Sequence, residues 1–300
     1  MPPTPVWPRV GLLVNPTSGR GRARALGVTL SEQLTGSGHQ VHALVAPDST
    51  TARRVAHAAV HDGQVDVLAV VGGDGTAHLG VNACAGTDVP LAILPAGTGN
   101  DNARQLGLGR GDVTQVAGLI GAGHSRPIDA GRSGTHPDRW WLGVLGGGFD
   151  TIVNARAARF RRIHGTPRYL AAVAAELPGF RGIRYAVHVD DERVDTTAML
   201  VAVANGGAFG GGMRVCPEAR MDDGLLDVMI LHQIGRGEFL KVFPRVFSGS
   251  HVRHPAVQLL RGARVQLDAA DVHTEADGEP FLQMPVDLHA VPGAVRICAP

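Results

Sequence analysis

Short continuous runs of apolar residues alternate with amphipathic stretches through the first 125 residues of this 300-residue chain. Arg9 to Val14, Val41 to Val45, Val65 to Val71 and Leu91 to Leu94 read as strands. The valine-rich run at Val65 to Val71, bounded by Gly63 and by Gly72-Gly73, suits the centre of a parallel sheet covered on both faces. Between the strands, a stretch ending near Thr35, then Thr50 to His61 and Thr76 to Ala85, read as helices, and Asp101 to Leu106 begins another. This alternation predicts an α/β domain over residues 1–125, doubly wound on a mostly parallel sheet, with its binding loops beyond the carboxyl ends of the strands.

From Ile128 the rhythm changes to short alternating runs at Trp140 to Leu145, Ile183 to Val189, Ala198 to Ala204, Leu225 to Leu231, Ala263 to Leu267 and Val286 to Ala290. Residues 126–300 are therefore expected to form an antiparallel β-sandwich domain, the last of them free to return to the first domain. Inserted helices are expected at Thr151 to Ile163, Arg168 to Glu176 and Gly237 to Phe247, and a hinge at Gly121 to Pro127. A cleft between two domains is a common place for a substrate site.

Three loops carry candidate chemistry. Gly72-Gly73-Asp74-Gly75-Thr76 follows a predicted strand and opens a helix. Glycines there let the backbone approach a phosphate, and the free N–H groups at a helix start attract the anion. The carboxylate of Asp74 suits magnesium or a water bound to it. Pro95-Ala96-Gly97-Thr98-Gly99-Asn100-Asp101 has the same strand-to-helix setting; Asn100 or Asp101 suits an N-cap, and Thr98 can donate to phosphate or ribose. Asn15 to Gly21 adds Ser18, Gly19 and Arg20 at the end of the first strand. Three such loops on one sheet edge make a nucleotide site.

Composition removes several alternatives. A formal charge of +1 lacks the basic excess of a nucleic-acid binder, so no nucleic-acid partner is expected. Lys241 is the only lysine, which excludes a P-loop and a protein-kinase site, both of which need lysine at fixed positions. Cys84, Cys216 and Cys298 are far apart and lack CxxC spacing, which fits a reducing cytoplasm. No run reaches the ~18 apolar residues of a membrane span, so any membrane contact is expected to be peripheral. No GxSxG elbow supports hydrolase chemistry.

The motifs NPTSGRG, VVGGDGT and LPAGTGND, followed by Val203-Ala204-Asn205-Gly206, Cys216-Pro217-Glu218-Ala219, Asp222 to Asp227 and Asp277-Gly278-Glu279-Pro280, resemble the bacterial diacylglycerol kinase-like and sphingosine kinase-like lipid kinases over nearly the whole chain. The resemblance implies an NAD-kinase-like first domain, ATP and Mg²⁺ as cofactors, and a lipid alcohol as phosphate acceptor. It gives ATP binding to Gly72 to Thr76 with Thr98, and the base that takes the hydroxyl proton to Glu279 or Asp277, which the sequence does not separate. It gives a second-domain magnesium site to Asp223, with backbone carbonyls of Arg220 and Leu225. Asp-Gly is also a common hairpin dipeptide, so both acidic segments have a plain turn reading. His78 and Leu79 stand where many relatives have asparagine and glutamate. NAD kinase, which also uses GGDGT, and a catalytically idle nucleotide-binding regulator are the competing readings; CPEARMDDGLLD and the late DGE tell against the first.

Arg156, Arg159, Arg161, Arg162, Arg168, Arg181 and Arg184 face a single acid, Glu176, over one segment, with Val153, Ala157 and Phe160 on a neighbouring helical face. That pattern suits an anionic membrane surface, and equally an ordinary solvated helix. His57 and His61 lie four apart on a helix without a third ligand and read as a solvated face. The glycine run Gly206 to Gly212 reads as a cleft rim, and the sequence leaves a homodimer open.

Overall fold

The computed structural model describes residues 6–160 and 166–300, side chains of 166 and 167 excepted, and the chain divides into two units, Met1–Ala130 with Val291–Pro300, and Gly131–Ala290. In the first unit, β1 (Arg9–Val14), β2 (Gln40–Leu44), β3 (Val67–Gly72) and β4 (Leu91–Pro95) lie side by side in the order β2-β1-β3-β4, all parallel. Every residue of β3 is buried, as a central strand covered on both faces requires. Each fully buried Val or Leu there contributes roughly 1.5–3 kcal/mol.

Helices α1 (Arg22–Gly36), α2 (Ser49–His61), α3 (Asp74–Cys84), α4 (Asp101–Gln105) and α5 (Val113–Gly121) connect the strands. Their starts are set locally: Asp48 accepts the N–H of Thr51 before α2, and Asp112 that of Gln115 before α5. The chain runs from β1 outward to β2 and then to β3 on the other side of β1. The loops after β1 and β3 therefore leave the sheet at its switch point, where open α/β sheets bind ligands.

Of the expected hinge at Gly121 to Pro127, Gly121 closes α5 and Arg126 opens the strand β5 (Arg126–Ser133), within which the first unit ends at Ala130. The second unit contains β6 (Trp140–Trp141), β7 (Val144–Gly148), α6 (Phe149–Arg159), α7 (Thr166–Glu176), β8 (Ile183–Val189), β9 (Glu192–Ala204), β10 (Leu226–His232), α8 (Arg236–Val242), β11 (Val257–Gly262), β12 (Arg264–Asp268), β13 (His273–Ala276), β14 (Glu279–Gln283) and the start of β15 (Val286–Ile297). Its strands pair antiparallel in the order β14-β13-β7-β9-β8-β12-β15, with β10 between β9 and β11, as a β-sandwich domain. The end of β15 returns to the first unit, where Ile297 pairs parallel with Leu91 of β4.

The helix expected over Gly237 to Phe247 is α only to Val242 and then tightens into a 3₁₀ turn at Phe243–Phe247, with Pro244 in its first turn. The expected helix over Thr151 to Ile163 ends at Arg159, and Arg161, Arg162 and Ile163 lie outside the described residues. Val153 and Ala157 are buried against Ala172, Val173 and Leu177, and Phe160 packs on the same cluster, so the apolar face of α6 is spent on the core. Arg156 pairs with Glu176 across α6 and α7. No helix of the described residues is long and apolar enough to cross a membrane.

Candidate functional site

The first unit brings its three glycine loops together. Asn15 extends β1 by donating its N–H to Val71 (2.9 Å), and its side-chain amide lies 3.4 Å from the Thr76 hydroxyl. Ala96 donates to the Gly72 carbonyl at 2.7 Å, tying the loop after β4 to the loop after β3. A Cβ on Gly97 would stand 2.6 Å from the Gly73 Cα, and one on Gly73 would lie 3.6 Å from the Ser18 hydroxyl oxygen. Gly19, at φ +61°, lies so close to the third loop that a Cβ there would meet the Ala96 carbonyl at 2.1 Å. Here the glycines are required by close backbone approach. The result is a cradle walled by main chain, with the first turn of α3 at its base.

The polar residues of the cradle have different duties. Asp74 accepts the N–H of Asn100 on one carboxylate oxygen (2.7 Å) and that of Asn102 on the other (3.4 Å), so it fixes the start of α4 as well as lying in the loop after β3. A carboxylate is a hard oxygen donor of the kind Mg²⁺ takes. Asn100 is buried in the left-handed conformation (φ 57°) and donates to the Gly97 carbonyl at 2.9 Å. Its Oδ1 is buried without a partner. Asp101 is buried and pairs with Arg104 at 2.8 Å, while Asn15, Arg20 and Thr98 are exposed at the rim. Main-chain amides for the phosphates and a carboxylate for Mg²⁺ are what a nucleotide triphosphate with its ion requires, so these residues fit that group. His78 is buried on α3, its ring 3.2 Å from the Asn82 amide, in the core of the helix instead of at the cradle.

In the second unit Asp277-Gly278 is the two-residue turn of the β13–β14 hairpin, with φ of 55° and 83°. The turn reading is correct, and it is not the whole role. Asp277 is buried, and its carboxylate accepts the N–H groups of Leu142 (3.0 Å) and Gly143 (2.8 Å), which ties the hairpin to the chain before β7. Glu279 opens β14 and is half-buried.

Sequence reasoning passed over a second carboxyl pair. Asp150, in the first turn of α6, folds back on β7 so closely that a Cβ on Gly146 would meet its Oδ2 at 1.9 Å. Its Oδ1 is buried without a hydrogen-bond partner, and Glu275, on β13 opposite Gly146, is held by the Asn154 amide at 2.7 Å. Burial, with the Glu275 charge second, pushes Asp150 up to about 7. Burial also raises Glu275. Asp150 borders an apolar cavity walled by Phe149, Tyr169, Leu200, Met229 and Phe243, with Phe209 and Met213 beside the glycine turn 210–212 at its rim. The signal that was available is the run Gly146-Gly147-Gly148 followed by an acid at a helix start.

This pair makes stability pH-dependent. Its folded pKa values lie above the unfolded ones, so its contribution is complete below about pH 4 and is lost as pH rises towards 7. Asp150→Asn is expected to flatten the decline and to melt above wild type at pH 8, by several degrees. Thermal melts from pH 5 to pH 8 check it; parallel curves for the two proteins would refute it.

At the expected second-unit magnesium site the Asp223 side chain has partners within the chain. Asp223 accepts the Leu225 N–H at 3.1 Å and pairs with Arg261 at 2.7 Å, while Arg220 turns to Asp222 at 3.0 Å. His57 and His61 stack ring on ring, with centroids 3.8 Å apart.

Residues 9–133 match the diacylglycerol kinase catalytic domain, and residues 143–299 match the YegS C-terminal NAD kinase beta sandwich-like domain. A curated diacylglycerol kinase from Mycobacterium tuberculosis is 35% identical over 97% of this chain and 95% of its own. The chain belongs to the diacylglycerol kinase family. This family member is a kinase by that kinship, and its fold agrees. A diacylglycerol kinase structure from Bacillus anthracis superposes with a TM-score of 0.74 at 20% identity, covering 98% of each chain. An NAD kinase from Archaeoglobus fulgidus, solved in complex with ATP, superposes at 0.56 with 12% identity, covering 96% of this chain and 92% of its own, a likeness of fold alone.

Proposed function

We propose that the protein is an ATP- and Mg²⁺-dependent lipid kinase that transfers the γ-phosphate to the hydroxyl of a diacylglycerol or a related lipid alcohol, working as a peripheral enzyme on the cytoplasmic face of a membrane. The observation that carries the lipid part is the cavity of the second unit, apolar on nearly every side and bordered by the Asp150 carboxyl. An acyl chain gains roughly 0.8 kcal/mol per buried CH₂ in such a space, whereas a dinucleotide would bury charge there without compensation. Kinship with a diacylglycerol kinase over 97% of the chain supports the same reading against NAD kinase.

The two halves of the reaction are divided between the units. Gly73, Gly97 and the first-turn amides of α3 bind the phosphates, Ser18 and Thr98 supply hydroxyl donors at the loop tips, and Asp74 holds Mg²⁺, which neutralises phosphate charge when bound. Asn15, Gly19 and Arg20 shape the wall of the first loop, and Gly72, Gly75 and Thr76, with Asn100 and Asp101, hold the bends. In the second unit the hairpin Asp277-Gly278-Glu279 supplies the carboxylate. As the hydroxyl oxygen bonds to the γ-phosphorus and the bond to the leaving ADP oxygen breaks, the hydroxyl proton passes to Asp277. Its position is fixed by two main-chain donors, and phosphoryl transfer asks more of position than of basicity. Arg159, Arg181 and Arg184, exposed in the described part of the arginine-rich segment, together with the exposed Ile152 and Leu170, suit an anionic bilayer.

Incubation of the pure protein with labelled ATP, Mg²⁺ and separate samples of diacylglycerol, sphingoid base, isoprenoid alcohol and NAD tests this. Label is expected in a lipid product identified by mass, and Leu200→Trp, which fills the cavity, is expected to raise lipid KM at least tenfold without changing ATP binding. Label in NAD alone would overturn the reading, and ATP binding without transfer to any acceptor would establish the idle regulator.

A further inference from the structure

The loop Asp222 to Asp227 resembles a family segment that binds magnesium, and in this chain its acids Asp223 and Asp227 share one cation already, the Arg261 guanidinium. Asp227 on β10 and Arg261 on β11 are direct cross-strand partners in the antiparallel ladder. The backbone register therefore delivers the guanidinium to this spot. Arg261 donates through Nη2 to Asp223 Oδ2 at 2.7 Å, and its Nε lies 3.4 Å from Asp227 Oδ1. The other oxygen of Asp223 accepts the Leu225 N–H at 3.1 Å, so Leu225 meets this carboxylate through its amide hydrogen. Arg220 turns its guanidinium to Asp222 at 3.0 Å.

We propose that Arg261 takes the place of a divalent cation here and makes the fold of this loop independent of magnesium. A guanidinium paired to Asp223 competes with Mg²⁺ for that carboxylate. Mg²⁺ demands near-octahedral oxygens at about 2.0–2.1 Å, and on Asp223 it would sit beside a permanent positive charge. Arginine meets two carboxylates at once through its planar fork, which a hydrated ion does only by shedding water.

The test is thermal denaturation of the full-length protein without nucleotide, in EDTA and in millimolar Mg²⁺, for wild type, Asp223→Asn, Arg261→Met and Arg261→Lys. The Mg²⁺-dependent rise in midpoint is expected to be the same in wild type and Asp223→Asn, because any ion that binds does so elsewhere. Arg261→Met is expected to melt several degrees below wild type in EDTA, with Arg261→Lys between the two. A rise in wild type that Asp223→Asn removes would show a metal on this loop and overturn the proposal, as would an Arg261→Met midpoint equal to wild type in EDTA. Both readouts are independent of kinase activity, so failure here is distinct from failure of the lipid kinase reading.

Discussion

Gly97→Ala is expected to weaken ATP binding by about a hundredfold or more while leaving the chain folded. The added methyl would stand 2.6 Å from the Gly73 Cα and 2.8 Å from Asn100 Oδ1, where neither a backbone atom nor a buried, bonded side chain can yield cheaply. Relief requires the loops after β3 and β4 to separate, and the amides of the cradle then no longer converge on one phosphate. Loss of two charge-assisted hydrogen bonds at roughly 1.5–3 kcal/mol each predicts a fall in affinity of about a hundredfold or more. The overpacking itself costs about 1–3 kcal/mol of stability. Gly118→Ala, within α5, meets nothing within 4 Å and is the matched control; it should bind ATP normally and melt slightly higher, since alanine is the better helix former by roughly 0.5–1 kcal/mol. Calorimetric titration with ATP and Mg²⁺ decides, and near-wild-type affinity in Gly97→Ala would remove the cradle from the nucleotide site.

Asp277→Asn is expected to lower kcat by about 10²- to 10⁴-fold, the range for loss of a positioned proton acceptor, with Glu279→Gln falling less than about tenfold. Part of the Asp277 effect is structural, because the new amide nitrogen must face a main-chain N–H of Leu142 or Gly143 that the carboxylate now satisfies. Leaving one such buried donor unmet costs about 1–3 kcal/mol. Melting curves measured beside kcat separate the two roles: a modest drop in midpoint with a kcat loss far larger marks the proton acceptor. A loss confined to Glu279→Gln would move the role to that residue.

Much of the first unit was legible because its signals are local. A strand buried on both faces must be continuously apolar, and the glycines that end it must stand where the backbone turns tightly. Val67 to Gly72 followed by Gly73-Asp74-Gly75-Thr76 therefore announces both the central strand and the loop at its tip. The second unit was less legible. Strands as short as β6, β13 and β14 give too few alternations for a period to register, and the helix after Gly237 changed its winding at a proline that the apolar pattern does not weigh. Of the two readings of the arginine segment, the apolar stripe of α6 follows the ordinary packed helix, since it covers the core.

The alternation of strands and helices in the first unit, the glycine bends at its strand ends and the acidic turn Asp277-Gly278 were readable from the chain because each depends on residues within a few positions of one another. Tertiary structure alone decided which partner each acid meets. Asp277 holds amides 134 and 135 residues away, Asp74 fixes a loop 26 residues on, Asp150 is buried beside Glu275, and Arg261 reaches Asp223 through the register of two strands. Burial and strand register are properties of the whole packed chain, and they determine whether a carboxylate serves as ligand, proton acceptor or strut.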